Sequence, residues 1–331
     1  MKQLSAMILA LFLAVSCLAA GCGPSHDMAS VTLSEVAHSI FYAPQYAAIE
    51  LGYFEDEGID LTLVNAGGAD KVMTSLISGD AHIGFMGSEA SIYVYAEGAD
   101  DYVINFAQLT QRAGNFLVSR VPMEDFAWTD LAGSTVLGGR KGGMPQMVFE
   151  YILKKYGLDP AADLNMDQSI SFGLTAAAFT GGDADFTVEF EPYATLLEQE
   201  GSGYVVASLG EASGYVPYTA YSAQKSYLEA HPDIIQGFTN AIQRGLDYVN
   251  SHTSDEIAAV IAPQFPETDP ATIAVIVERY LTQDTWKEDT IFEESSFELL
   301  QSILAEAGEL PQKVPYSELV NTEYSIQAAA Q

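Results

Sequence analysis

Glu189-Phe190-Glu191-Pro192 sets two carboxylates around an aromatic ring, immediately before a helix-permitting proline. A carboxylate there can complement a helix N-terminus. It can also accept charge-assisted hydrogen bonds from amino groups or a protonated ring nitrogen. Gly138-Gly139-Arg140-Lys141-Gly142-Gly143 offers the opposite charge in a flexible loop. It lacks the Gly-Lys-Ser/Thr of a phosphate-binding loop. Arg140, with the backbone at Gly142, holds an anion if it turns inward and is solvated if it does not. Two further glycine turns, at Gly68 and at Gly87-Ser88, precede helical patterns and let backbone N–H groups approach a ligand. Ser39, Phe41 and Tyr42 near the start, and Tyr218 and Tyr221 later, supply a hydroxyl and aromatic faces. They either sandwich a flat ring or pack as core. These twelve positions form the candidate ligand-binding set.

Catalytic signatures are missing from the sequence. His26, His38, His82, His231 and His252 have no metal-ligand spacing. There is no Gly-x-Ser-x-Gly elbow and no Gly-x-Gly-x-x-Gly. The two cysteines, Cys17 and Cys22, both lie in an N-terminal leader. Once Cys22 is the first residue, no thiol remains for catalysis or disulfides. No cofactor or metal is expected, and the chain reads as a non-enzyme. With 13 Lys+Arg against 45 Asp+Glu, the net charge of -32 repels nucleic acid.

The leader has Lys2, an apolar run from Leu4 to Ala20, and then Gly21-Cys22. That is the order of a cleavable signal peptide, here residues 1–21. Leu18-Ala19-Ala20-Gly21-Cys22 resembles a bacterial lipobox, which makes Cys22 the lipidated residue. Residues 22–30 then form a tether, giving a chain anchored to a membrane and not spanning it.

Alternation of short apolar strands and helices follows. Strands are predicted at 31–37, 59–64, 81–85, 135–137 and 185–189. Helices are predicted at 44–52, 71–77, 88–96, 145–156 and from Pro192 to Gly201. This rhythm predicts an α/β protein with mostly parallel, doubly wound sheets. Beyond Tyr221 the pattern turns helical: Phe238, Ala241, Ile242, Gly245, Leu246 and Val249 share one face. Two α/β units without a linker suggest lobes joined by crossing strands, placed near 102–120 and 215–222. Lobe I takes 31–115 and 220–331, and lobe II takes 116–219.

At this level a family resemblance emerges. The run Ala43-Pro44-Gln45-Tyr46-Ala47-Ala48-Ile49-Glu50-Leu51-Gly52-Tyr53-Phe54, followed by Glu57-Gly58-Ile59-Asp60-Leu61, resembles a signature of type II periplasmic-binding-protein-like ABC receptors. The similar branch handles sulfonates, taurine, nitrate and thiamine-pyrimidine precursors. Leu76-Ile77-Ser78-Gly79-Asp80-Ala81, Asp130-Leu131-Ala132-Gly133-Ser134-Thr135-Val136 and His231-Pro232-Asp233 match in order. The resemblance implies a two-lobed fold that closes on a small molecule, a membrane permease and ATPase as partners, and an extracytoplasmic, lipid-anchored monomer. The hydroxyl residue this family often carries in the 138–143 loop is missing here. An uncompensated Glu191 at the cleft favours a nitrogen heterocycle over a sulfonate or nitrate.

Overall fold

A computed structural model describes residues 28–331. The expected signal peptide, Cys22 and most of the tether lie outside the described residues. The first strand, β1 (Ala29–Glu35), starts two residues earlier than expected, so residues 29 and 30 belong to a ladder and not to a tether.

Nine more strands follow: β2 (Ile59–Asn65), β3 (Ile83–Met86), β4 (Val103–Thr110), β5 (Asn115–Ser119), β6 (Thr135–Leu137), β7 (Asn165–Asp167), β8 (Phe186–Phe190), β9 (Tyr204–Ser208) and β10 (Thr219–Gln224). They form two five-stranded sheets, ordered β2-β1-β3-β10-β4 and β7-β6-β8-β5-β9. The second order repeats the first: the initial strand lies second, the third strand sits beside it, and an intruder separates the third from the fourth. In each sheet the intruder, β10 or β5, is the strand by which the chain arrives from the other lobe, and it runs antiparallel to both neighbours. The sheets, expected to be mostly parallel, are therefore mixed, because a chain crossing between lobes enters its new sheet head-on.

The helices include α1 (Ala43–Glu50), α2 (Ala69–Ser78), α3 (Glu89–Ala96), α4 (Met144–Lys155), α5 (Phe172–Gly181), α6 (Tyr193–Gln199), α7 (Pro232–Ser251), α8 (Pro270–Thr282) and α9 (Glu294–Glu306). Pro44 and Pro145 sit in the first turn of α1 and α4, where a missing N–H costs nothing. The α7 stripe expected from the sequence, Phe238 to Val249, is buried against lobe I. Phe297, Leu300, Ile303 and Leu304 of α9 are likewise buried. The chain leaves the first sheet through residues 111–114 and returns through 214–218. Gly114 lies in the first of these segments because Phe41 packs on it: a Cβ there would meet the Phe41 ring at 2.5 Å.

Candidate ligand-binding cleft

Parallel strands in an open α/β sheet present their carboxyl ends to ligands. The antiparallel intruders begin where those strands end, so their first residues reach the same rim. Asn115, the first residue of β5, pairs with Phe190 at the end of β8. Tyr218 directly precedes β10, whose Ala220 pairs with Met86 at the end of β3. The cleft is thus lined by strand ends, helix starts and both crossings.

Four side chains at these strand ends, helix starts and crossings are buried yet lack a hydrogen-bond partner within the protein. They are Ser88 through Oγ, Glu89 through Oε2, Asn115 through both amide atoms and Tyr218 through its hydroxyl. Each such group costs about 1–3 kcal/mol when left unpaired, and native interiors contain few of them. The Glu89 carboxylate lies close enough to Tyr42 and Tyr218 to raise both phenols beyond the effect of burial itself. Burial pushes Glu89 up to about 7, and backbone N–H groups of Glu89 and Met144 only partly oppose it. Met144 opens α4 in lobe II, so Glu89 faces the opposite lobe.

The lobes are closed on one another. Ser39 Oγ reaches the Glu191 carbonyl at 3.5 Å, Tyr93 reaches Met147 Sδ at 3.6 Å, and Arg140 lies 3.8 Å from Asp70. Ser39 is placed by a buried network at the end of β1. Glu35 accepts from Gln45 at 2.8 Å and from Tyr46 at 2.9 Å, and its other oxygen pairs with His38 at 2.8 Å. The Glu35 hydrogen bond holds His38 above its ordinary pKa against the effect of burial. Ser39 N–H donates to the Tyr46 hydroxyl at 3.2 Å, and Ser39 Oγ caps Phe41 N–H.

The sequence-chosen residues divide between the cleft and other roles. Ser39, Gly87, Ser88 and Tyr218 come together at the cleft. Phe41 and Tyr42 stand beside them: Phe41 meets Tyr218 edge-on at 5.7 Å, and Tyr42 meets Phe85 at 4.4 Å. The carbonyl of Phe41 accepts the Trp286 indole N–H at 2.8 Å. Gly68 caps α2 at the rim, next to the Asp70 that meets Arg140.

Five expectations need correction. Glu191 does not present an uncompensated carboxylate. Arg279 of α8 donates to it at 2.6 Å, and the Thr195 N–H and hydroxyl donate at 2.9 Å each. Burial still raises Glu191, with Arg279 pulling against it. Burial also disfavours the Arg279 charge, but Glu191 and Glu198 more than offset this. Glu189 is closed off by Thr187 at 2.6 Å and Thr175 at 2.9 Å, and burial lifts it to about 7. Tyr221 is core: it stacks on Phe85 at 4.3 Å and donates to Gln45 at 2.9 Å. Arg140 does not turn inward, since its side chain is 58% exposed. Gly142 is exposed as well, and its N–H donates to Gln146 at 3.2 Å.

Glu89 and Asn115 are cleft residues that sequence reasoning passed over. The signal for Glu89 was its position two residues after Gly87, in a turn already singled out. Among the described residues no group of three or more His, Cys, Asp or Glu is placed to hold a metal ion. No helix among them is long and apolar enough to cross a membrane.

Comparison with known proteins agrees with this architecture. The chain is 47% identical over 304 residues, 92% of this chain and 91% of the other, to YtlA of Bacillus subtilis (strain 168), to which its name assigns a binding role. Solved structures at lower identity share the fold. The alkanesulfonate-binding protein SsuA of Xanthomonas axonopodis pv. citri, bound to MOPS, matches with a TM-score of 0.71 at 17% identity, over 91% of this chain and 100% of that one. The nitrate-binding protein NrtA of Synechocystis PCC 6803 matches with a TM-score of 0.74 at 13% identity, over 92% and 89%. The fold also carries a desulfurization enzyme, DszB, at a TM-score of 0.63 and 15% identity, over 91% and 99%. The two lobes are thus of the periplasmic-binding-protein type. The model of the family described as NMT1/THI5 like matches residues 40–255, and the chain belongs to that family.

Proposed function

We propose that the chain is the solute receptor of an ABC-type importer. It captures a small organic molecule between its lobes and delivers it to a membrane permease, without chemical turnover. The observation that carries this reading is the set of buried polar groups at Ser88, Glu89, Asn115 and Tyr218, gathered where two lobes meet. A receptor needs such groups to recognise a ligand, and closure then buries it. The solute is a nitrogen heterocycle of the thiamine-pyrimidine-precursor type, since aromatic walls at Phe41 and Tyr42 adjoin hydrogen-bonding groups of both kinds. Family membership and the binding role named for YtlA support the receptor reading. Lipid attachment at Cys22 holds the protein on the outer face of the membrane. Replacing Cys22→Ser releases it while leaving binding intact.

An oxyanion receptor is the second reading. It is favoured by the start of α4 at the cleft, because helix N-termini attract anions, and by the sulfonate and nitrate ligands named for SsuA and NrtA. Calorimetry and thermal shift with aminopyrimidines, alkylsulfonates and nitrate test both. One class should bind near or below micromolar, about -8 kcal/mol. At ~100 times its dissociation constant it should stabilise by roughly 2.7 kcal/mol. Conversion of a bound compound into product would overturn the receptor assignment.

A further inference from the structure

Resting on the reading of the cleft as a solute site, we infer that Glu89 is the residue that selects the solute. It selects for N–H donors, an amine or an amino-substituted heterocycle, and against an oxyanion.

The seat of this carboxylate is built. Glu89 folds back over Gly87, where a Cβ would lie 2.0 Å from Oε2 and 2.6 Å from Oε1. Only glycine leaves that space. The residue is 4% exposed, yet Oε2 has no partner within the protein. Its surroundings supply no countercharge. The titratable groups that face it are phenols: Tyr42 from the turn at 40–42, Tyr218 from the returning crossing and Tyr93 from its own helix. Burial raises all three, so they stay neutral. Glu35 bears on Tyr42 and Glu309 on Tyr93, adding negative charge and no positive charge. From α4 comes only the Met144 N–H. The nearest basic side chains in the 138–143 loop, Arg140 and Lys141, are exposed at the mouth.

A buried carboxylate without a cation is stabilised when a donor is brought to it. A ligand N–H supplies to Glu89 what Arg279 supplies to Glu191. An oxyanion would instead require Glu89 to hold its proton. The two ligand classes therefore differ in the sign of proton exchange. With Glu89 poised at about 7 by burial, a donor ligand drives it to the carboxylate and releases a proton. Affinity for that ligand then rises as pH climbs through neutrality, and affinity for an oxyanion falls.

The experiment uses the whole mature chain, 4-amino-5-hydroxymethyl-2-methylpyrimidine as donor probe and MOPS as anion probe. Binding is measured calorimetrically in buffers of different ionisation enthalpy, between about pH 6 and 8. The expected result is binding of the aminopyrimidine with proton release near neutrality. Glu89→Gln should abolish the release and weaken binding about ten-fold or more, the scale of a charged hydrogen bond. Gly87→Ala, which displaces the carboxylate without removing it, should weaken binding in the same direction, with the melting transition confirming a folded protein. Aminopyrimidine binding that survives Glu89→Gln unchanged, or MOPS binding tighter than the aminopyrimidine at neutral pH, overturns the role of Glu89 and leaves the receptor reading standing. A wild-type chain that binds neither probe sinks both.

Discussion

Glu89 and Glu191 occupy matching places in the two lobes: each follows the third strand of its sheet, beside the intruding strand, at the start of a helix. Both are almost wholly buried, at 4% and 2% exposure. They meet burial in opposite ways. Glu191 has a guanidinium and two Thr195 groups around it, in an ion pair that joins α8 to lobe II. Glu89 receives hydrogen bonds only from backbone N–H groups, and one of its oxygens is unpartnered. The same topological corner thus makes an ion pair in one lobe and leaves a buried carboxyl oxygen unpartnered in the other. What distinguishes them is whether the chain brings its own countercharge.

The sharpest way to break this contrast is Arg279→Ala. If Arg279 neutralises a buried carboxylate, its loss leaves Glu191 stranded and should cost about 3–5 kcal/mol, measured by urea denaturation. A loss below about 1 kcal/mol would mean that Glu191 finds water or a proton easily, and the two carboxylates would then be alike.

The second test is pH. Glu89 and Glu189 are both raised by burial to about 7 from an ordinary 4.5. A raised carboxylate binds more protons folded than unfolded, so stability is full below about 4.5 and is lost as pH climbs to about 7. Each shift corresponds to roughly 3 kcal/mol. The unliganded protein should therefore be more stable near pH 5 than near pH 8, and Glu89→Gln should remove part of the slope. A flat profile would show that neither carboxylate is desolvated as described.

Smaller effects separate the two tyrosines. Tyr221→Phe removes a buried hydrogen bond to Gln45 and should cost about 1 kcal/mol of stability without altering binding. Tyr218→Phe removes a hydroxyl without a partner, so stability should hold within about 0.5 kcal/mol while solute affinity falls. The same pattern in both variants would merge cleft and core. Least of all should come from Arg140→Ala. Its exposed 3.8 Å pairing with Asp70 is worth at most about 0.5 kcal/mol and should weaken further in salt.

Local patterning explains what the sequence reveals of this fold. Helix and strand periods alternate cleanly from 31 to 96, and the observed elements differ from those expected by a few residues at their ends. The opposed direction of β5 and β10 leaves no local trace. It is fixed by pairing partners far along the chain, such as Asn115 with Phe190. Charge compensation behaves similarly. Glu191 is recognisable as a strand-end carboxylate, but Arg279 stands 88 residues later on a helix whose pattern reports only its buried face. Glu89 sits in a first helical turn, where an acid is favourable by itself. Only the backbone at Gly87 shows that its carboxyl is turned inward.

Trp286, tied by its indole to the Phe41 carbonyl beside the crossing, is placed to act as an optical gauge of the angle between the lobes. The chain has two tryptophans. Trp128 is stacked on Tyr156 at 5.8 Å, inside lobe II, and is blind to the angle between lobes. Trp286 packs on Tyr280 at 5.9 Å, and its carbonyl accepts from Gln111, in the segment that leaves the first sheet, at 3.2 Å. With Trp128→Phe as background, a single tryptophan remains, beside the crossings, and a change in its emission on adding solute in stopped flow would report movement of one lobe against the other.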